Sequence, residues 1–157
     1  MSWRLLVLSL VAGHLLAGSV SADPRATRVT KAMQQADQVV VGYVTAVEPS
    51  WKTNVHGDQL IVSRAWVRAE ETLKGQAAIE VPVEIEGGSI GDLTLKVSDM
   101  PTLKRGDRAV FMLKRGAAGQ FVPHRRGEGI LRVEPDGEVR AAGMRLDQIR
   151  QLARQIR

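Results

Sequence analysis

The stretch Gln38-Val39-Val40-Val41-Gly42-Tyr43-Val44-Thr45-Ala46-Val47 is apolar at consecutive rather than alternate positions. Successive side chains of a β-strand point to opposite faces of its sheet, so a strand that is apolar in both sets has both faces covered. Valine and tyrosine also favour extended backbone. The stretch therefore predicts a central strand. The run Ala109-Val110-Phe111-Met112-Leu113, inside a strand predicted from Arg108 to Leu113, is likewise too apolar for an exposed strand.

The residues after the first strand predict a loop and then a second strand. Pro49, Asn54 and Gly57 indicate a loop over residues 48 to 58. From Gln59 to about Ala69 the residues alternate between two faces. The predicted core set is Ile61, Ser63, Ala65 and Val67, and the opposite set is Arg64, Trp66 and Arg68. Residues 70 to 75 are predicted to turn the chain.

The clearest alternation along the chain covers residues 79 to 86. Its apolar set is Ile79, Val81, Val83 and Ile85, and its other set is Glu80, Pro82, Glu84 and Glu86. Because Pro82 has no N–H to donate, we expect this strand to lie at a sheet edge or to carry a bulge. Shorter strands are predicted at residues 93 to 97, 120 to 124 and 130 to 133, separated by turns at residues 87 to 91, 104 to 107, 116 to 119 and 135 to 137.

Two segments have the three- and four-residue apolar spacing of amphipathic helices. The first, residues 26 to 36, places Val29, Ala32, Met33 and Ala36 on one side. The second is the tail, residues 144 to 157, with Leu146, Ile149, Ala153 and Ile156, and we expect it to dock with Trp66 beneath it. The sequence thus predicts one mainly β domain, residues 23 to 157: a small antiparallel β-barrel with a short N-terminal helix and a C-terminal amphipathic helix.

The N-terminal residues predict a secretory signal peptide over residues 1 to 22. Arg4 is followed by the apolar run from Leu5 to Leu16 and by small residues up to Ala22, after which we expect cleavage. The alternative, a membrane anchor, is disfavoured because the run is shorter than the roughly 20 apolar residues that span a bilayer. We therefore expect a bacterial periplasmic or secreted protein that has no transmembrane anchor after cleavage.

The order of several short motifs resembles that of an uncharacterised family of exported bacterial domains. The motifs are Ala36-Asp37 before the valine-rich strand, Gly42-Tyr43-Val44, Val67 with Leu73-Lys74-Gly75, Gly87-Gly88, and Arg105-Gly106-Asp107 before Val110-Phe111-Met112-Leu113. More distantly, the order is similar to that of the netrin-like modules of tissue metalloproteinase inhibitors. The resemblance implies an oligonucleotide/oligosaccharide-binding (OB) type of barrel, with a secreted protease as a candidate partner. This chain lacks the cysteines of the inhibitors, so no inhibitory residue is carried over.

The composition narrows the chemistry further. The chain of 157 residues has no cysteine, which excludes thiol nucleophiles and thiolate metal sites. After the signal segment, His56 and His124 have no partner at metal-ligand spacing. The row Glu80, Glu84 and Glu86 contains no histidine and is interpreted as a solvated face. We therefore expect no metal and no cofactor.

One motif is typical of catalysis. Residues Gly87-Gly88-Ser89-Ile90-Gly91 match the G-x-S-x-G pattern of hydrolases, whose serine sits on a turn between a strand and a helix. Here a second strand is predicted to follow, so the favoured interpretation is a glycine-rich turn. The alternative is a small serine hydrolase in which Ser89 and His124 lie within hydrogen-bond reach.

Cationic pairs and a tryptophan suggest binding instead. The formal net charge is +5, and three basic pairs fall at predicted turns that would cluster at one end of the barrel: Lys104-Arg105, Lys114-Arg115 and Arg125-Arg126. With Trp51 in the first long loop, they predict a surface for a secreted or envelope protein, an anionic glycan or a lipid headgroup. The export signal and the few aromatic residues disfavour nucleic acid. The predicted function is a non-enzymatic exported binding module, and the remaining alternative is a structural or assembly subunit that pairs through the Pro82 strand or the terminal helix.

Overall fold

The computed structural model describes residues 23–156, so the predicted signal peptide lies outside the described residues. The described chain contains two α-helices, ten strands and two short 3₁₀ turns. In chain order they are α1 (Pro24–Gln35), β1 (Gln38–Thr53), β2 (Gln59–Lys74), β3 (Glu80–Glu86), β4 (Gly88–Ile90), β5 (Leu93–Leu95), β6 (Arg108–Arg115), β7 (Phe121–Pro123), the 3₁₀ turn Arg126–Gly129, β8 (Ile130–Arg132), β9 (Glu138–Val139), the 3₁₀ turn Arg140–Ala142, β10 (Met144–Arg145) and α2 (Leu146–Gln155).

Five strands form a ring. The order is β1, β2, β3, β7 and β6, and β6 returns to pair with β1, while β8 adds to the other part of β6. The mainly β prediction with a helix at each end is confirmed. The prediction of a purely antiparallel sheet is wrong at one junction, because β3 and β7 run parallel and meet only where Val83 lies opposite Phe121.

Both faces of β1 and β6 are buried, as the consecutive apolar residues predicted. Inside the ring, Val40 and Val44 of β1 pack in one core with Phe111 and Leu113 of β6. On the outside, both helices cover a second core that contains Val39, Val41, Val110 and Met112. The two strands therefore have the core of the ring on one face and the helical layer on the other.

The predicted loop from Glu48 to Asp58 is wrong over its first half, because β1 continues to Thr53 and pairs with β2 as far as Gln59. Pro49 is tolerated for a geometric reason. β6 pairs with β1 only as far as Tyr43, so the later part of β1 has a free side. Asn54 N donates to Asp58 O across the ribbon. Alternate residues of a strand direct their backbone N–H groups to the same neighbouring strand, so the even-numbered residues before Asn54 face β2 and the nitrogen of Pro49 faces the free side. The proline costs no bond in the ladder.

The strand β2 is also longer than predicted. Residues 70 to 74 continue the strand instead of turning, since Leu73 is buried in the outer core. This extension brings Lys74 under the C-terminal end of α1, where its Nζ donates to the carbonyl oxygens of Met33, Gln34 and Ala36. A cation at that helix end is favourable and satisfies carbonyl groups that have no partner within the helix.

Two predictions about β3 need correction. Ile79 is 77% exposed, because β3 begins one residue later. Pro82 does not lie in an edge strand, since β3 has β2 on one side and β7 on the other. Its nitrogen faces β7, where pairing is limited to the single position at Val83. The remaining apolar residues of β3 are buried as predicted.

The terminal helix docks, but not on Trp66. The helix begins at Leu146 rather than Met144, and Leu146, Ile149 and Ala153 are buried in the outer core with residues of α1. Trp66 lies outside this core, half-buried on β2, with the Arg64 guanidinium 6.0 Å from its ring centre. The apolar residues of α2 belong to the same core as those of α1, and α2 contacts α1 and β2. Among residues 23–156, neither helix is long and apolar enough to cross a bilayer.

We expect Val40→Ala and Val41→Ala each to lower the free energy of unfolding by about 2 kcal/mol, because each removes two methyl groups from a fully buried side chain. The matched control is Val55→Ala, since Val55 is 95% exposed and its truncation should cost less than about 0.5 kcal/mol. Urea unfolding followed by tryptophan fluorescence measures all three. A cost for Val41→Ala as small as that for Val55→Ala would contradict two-sided burial of β1.

Candidate functional site

The three predicted basic pairs do not form one cluster. Lys104-Arg105 comes before β6 and Lys114-Arg115 ends it, and a strand of eight residues is about 26 Å long. The pair Arg125-Arg126 follows β7, which runs back along β6. The pairs therefore lie at both ends of β6 and beside it, not at one end of the ring.

Several of these cations already have partners within the protein. Lys114 Nζ lies 3.1 Å from the Asp37 carboxylate. The Arg115 guanidinium lies 4.5 Å from the centre of the Phe121 ring. Arg126 pairs with Asp99 and Glu86. Arg125 is paired as well, with Glu128, so only Lys104 and Arg105 among these six cations have no ion-pair or ring partner within residues 23–156.

Trp51 lies on the long β1–β2 ribbon rather than in a loop. It is opposite Ile61 and 48% exposed. It is not among the lining residues of the groove described below or of two other cavities, and no basic pair is among its neighbours in the register. The structure therefore does not bring Trp51 and the basic pairs into one surface.

The two residues of the hydrolase alternative are not hydrogen-bonded to each other. Ser89 lies in β4, not in a turn, and its Oγ is 2.8 Å from Thr94 Oγ1 on β5. His124 Nε2 is 3.3 Å from Gln35 Oε1 of α1. The chain turns at Gly91-Asp92 instead, and the two side chains border different cavities.

A groove that sequence reasoning did not predict lies between α1 and the two 3₁₀ turns. Its volume is about 480 Å³. The floor is aliphatic and includes Val29, Ala32, Met112 and Leu131. Four arginines line it from three different segments: Arg25, Arg28, Arg125 and Arg140. Cavities of this size that combine apolar walls with a few converging charged groups are typical of ligand sites.

Burial of one face of α1 determines where its arginines lie. Val29 and Met33 anchor the helix in the outer core. Arg25 and Arg28 are three residues apart, so they are neighbours on the helix surface. The Arg25 guanidinium extends to Gly143, which ends the second 3₁₀ turn with φ 60°. This contact brings the first turns of α1 alongside the segment that carries Arg140.

The loop that carries Arg125 has a strained backbone. Arg125 and Arg126 have φ values of 54° and 60°, in the left-handed region that non-glycine residues seldom adopt. Arg126 stays there because its guanidinium binds Asp99 and Glu86, and these hydrogen bonds raise its pKa further above its ordinary value. Gly127 N donates to Asp99 O at 3.0 Å. A side chain at residue 127 would overlap the same carbonyl oxygen, so this close approach requires glycine. Strain maintained by surrounding contacts is common at functional sites.

The arginines of the groove differ in how far they are neutralised. Arg125 lies 3.3 Å from Glu128, and Arg140 lies 3.7 Å from both Glu134 and Glu138. Within residues 23–156, Arg25 and Arg28 form no ion pair. They lie in the first turns of α1, where the helix dipole disfavours cations, and the first turn of the helix contains no acidic residue after the capping Asp23.

His124 forms part of the wall between the groove and an open cleft beside Lys114. Burial lowers the pKa of His124 below its ordinary 6.5, and the charges of Lys114 and Arg125 lower it further. The imidazole is therefore neutral at neutral pH. The positive charge of the groove comes from its arginines.

A spacing signal for part of this groove was present in the sequence. Arg25 comes just before the helix predicted over residues 26 to 36 and Arg28 lies in its first turn, and steps of four residues place them beside Val29 and Ala32. The contribution of Arg140 depends on how residues 134 to 146 fold back, and no local pattern indicates it.

The described residues contain no group of three His, Asp or Glu side chains placed to hold a metal ion. Compared with models of known protein families and with curated protein sequences, the chain matches none of them.

We expect the Arg126–Asp99 contact to appear in the acid stability of the protein. Hydrogen bonds from Arg126 hold the pKa of Asp99 below its ordinary 3.8. Between the lowered pKa of the folded state and the ordinary pKa of the unfolded state, Asp99 binds a proton in the unfolded chain but not in the folded one. The stabilisation is therefore complete above the ordinary pKa and is lost as pH falls through the lowered pKa. In Asp99→Asn, stability should therefore fall less steeply below about pH 4.

Urea midpoints between about pH 3 and pH 6 measure this dependence. The matched control is Asp92→Asn, because Asp92 is exposed and forms no ion pair with another described residue. The control should follow the wild type. Equal pH dependence of Asp99→Asn and wild type would contradict the role of this contact.

Proposed function

We propose that this protein is a non-enzymatic, exported binding module that holds an anionic component of the bacterial envelope in the arginine groove. Export is proposed from the signal-peptide pattern of residues 1 to 22, and we place the processed protein in the periplasm or outside the cell. The observation that carries the binding proposal is a groove of about 480 Å³ with an aliphatic floor and four arginines.

The charge arrangement supports an anionic ligand. Arg25 and Arg28 are exposed, have no carboxylate partner among the described residues, and lie at the unfavourable end of a helix dipole. Local arrangements that cost stability without an evident gain in the fold are expected where function requires them. A bound anion would neutralise these charges and accept hydrogen bonds from their guanidinium groups.

The proposal assigns no bond-making step to the groove. Its lining residues are arginines, apolar residues, glycines, the neutral His124 and Glu128, and they include no serine, threonine or cysteine nucleophile. The Ser89 hydroxyl lies at another cavity and is paired with Thr94. Binding by complementary charge and apolar contact is the activity that these groups support.

We also propose that the ring is a barrel of the OB type, distantly similar to netrin-like modules. Five strands is the number in an OB barrel, and the ring returns to its first strand. The resemblance of the motif order supports the same assignment. A protease or another secreted protein as partner is the alternative to an envelope anion, and it predicts that small anions do not compete for the groove.

We expect the anionic fluorophore 1-anilinonaphthalene-8-sulfonate to bind the folded protein in the groove. Arg25→Gln/Arg28→Gln should weaken this binding roughly tenfold, because two charged hydrogen-bond donors are lost. The matched control is Arg64→Gln/Arg68→Gln, which removes the same charge from the exposed face of β2. Fluorescence titration measures the dissociation constants. Equal weakening by both pairs of substitutions would show that net charge, not the groove, attracts the probe.

We expect the full-length chain to be processed on export when it is expressed in a Gram-negative bacterium. The fraction released by osmotic shock should contain protein whose N-terminal residue is Asp23, because Ala22 and Val20 occupy the small-residue positions that signal peptidase reads. Intact mass and N-terminal sequencing measure this. Replacing Ala22 with a bulky residue, in Ala22→Phe, should block cleavage. Full-length protein retained in the cytoplasm would contradict the export proposal.

A further inference from the structure

We propose that the ligand of the groove is a single-chain anionic amphiphile: a carboxylate or phosphate head held by the arginines, with one acyl chain along the aliphatic floor. The inference rests on the proposed function and deepens it by naming the ligand class. It follows from three properties of the groove: the chemistry of its floor, its volume and the distribution of its charges.

The floor suits hydrocarbon rather than sugar. Val29, Ala32, Met112 and Leu131 present aliphatic surface, and no Phe, Tyr or Trp is among the lining residues of the groove. Sugar hydroxyls would lose hydrogen bonds to water against such a floor without replacing them. An acyl chain gains free energy from every methylene that it buries there. Among the anions of an envelope, the floor therefore favours those that carry a chain.

The volume limits the ligand to one chain. A cavity of about 150 Å³ holds one benzene molecule, which has six carbon atoms. By that measure the groove, at about 480 Å³, holds roughly 18 non-hydrogen atoms. This number matches a carboxylate with one chain of about 16 carbon atoms, whereas a two-chain phospholipid with chains of that length has more than twice as many non-hydrogen atoms. The small side chains of Ala32, Ala141 and Ala142 keep this space open.

The charges lie where a head group would be held. Arg25 and Arg28 come from α1, Arg125 from the strained loop and Arg140 from the second 3₁₀ turn, so cations approach from three segments. Glu128 is the one acidic residue among the lining residues, and it is already paired with Arg125. A planar guanidinium can bind carboxylate or phosphate through two parallel hydrogen bonds. The groove therefore combines a cationic rim with an apolar floor, which is complementary to an anionic amphiphile.

The experiment displaces 1-anilinonaphthalene-8-sulfonate from the wild-type protein with carboxylates of increasing length, from acetate through octanoate and dodecanoate to hexadecanoate, all below their micellar concentrations. We expect affinity to rise roughly tenfold for each two added methylenes and to level off near 16 carbon atoms. Hexadecyltrimethylammonium, which has the same chain and the opposite charge, should displace at least a hundredfold less well. A lysophosphatidylglycerol arm compares a phosphate head with the carboxylate.

A substitution that narrows the groove gives an independent test. Ala141→Trp adds an indole to an exposed position at the groove, so it should shorten the preferred chain and weaken hexadecanoate at least tenfold while leaving octanoate nearly unchanged. The matched control is Ala117→Trp, in the exposed β6–β7 turn, which should leave the whole series unchanged. Thermal unfolding of both variants confirms that they fold. If Ala141→Trp does not fold, the chain-length series on the wild-type protein still tests whether the ligand is an amphiphile.

The outcomes separate this inference from the proposed function. If the fluorophore binds through Arg25 and Arg28 but affinity does not depend on chain length, the anion site stands and the amphiphile is wrong. If the protein binds phosphatidylglycerol vesicles but no monomeric amphiphile, the groove docks on a membrane surface and the inference is overturned. If the fluorophore does not bind in the groove at all, the proposed function fails as well.

Discussion

Burial of both faces of β1 and β6 is the constraint on which the rest of the structure depends. Alternate side chains of these paired strands enter the ring core and the helical core, so every residue from Val39 to Val41 and from Ala109 to Leu113 is buried. A strand covered on one side only would leave half of these residues in water. The ring must therefore close on one face, and helices must cover the other.

The helical layer owes its position to this constraint. α1 and α2 contact each other over the outer valines, and Lys74 binds the last carbonyl groups of α1 from the end of β2. Because Val29 and Met33 face inward, Arg25 and Arg28 lie at the border between the helix and the loops that follow β7 and β9. The groove exists because a helix packed on a sheet leaves a gap beside irregular segments, and small residues leave that gap open.

The groove is also where the chain departs from local preferences. Cations stand at the positive end of a helix dipole, and two consecutive arginines adopt left-handed backbone. Arg126 is held by two carboxylates, whereas Arg25 and Arg28 form no ion pair with any residue from 23 to 156. In the apolar runs of β1 and β6, by contrast, strand propensity, burial and pairing agree. Several locally unfavourable arrangements therefore occur at one cavity. They support a ligand whose charge and apolar chain offset the stability that these arrangements cost.

The sequence by itself determined the fold class, the two-sided strands and both helices, because two-residue and 3.6-residue periodicities are local signals of what each segment must bury. It did not determine that Pro49 lies inside a strand, since that depends on β6 ending its pairing at Tyr43. Nor did it show that Trp66 lies outside the core of the terminal helix, or that the basic pairs are far apart. Only the tertiary structure brought four arginines to one groove: Arg25, Arg28, Arg125 and Arg140. The closure of the ring and the packing of α1 make neighbours of residues that lie about a hundred positions apart in the chain. No local sequence pattern encodes such a contact.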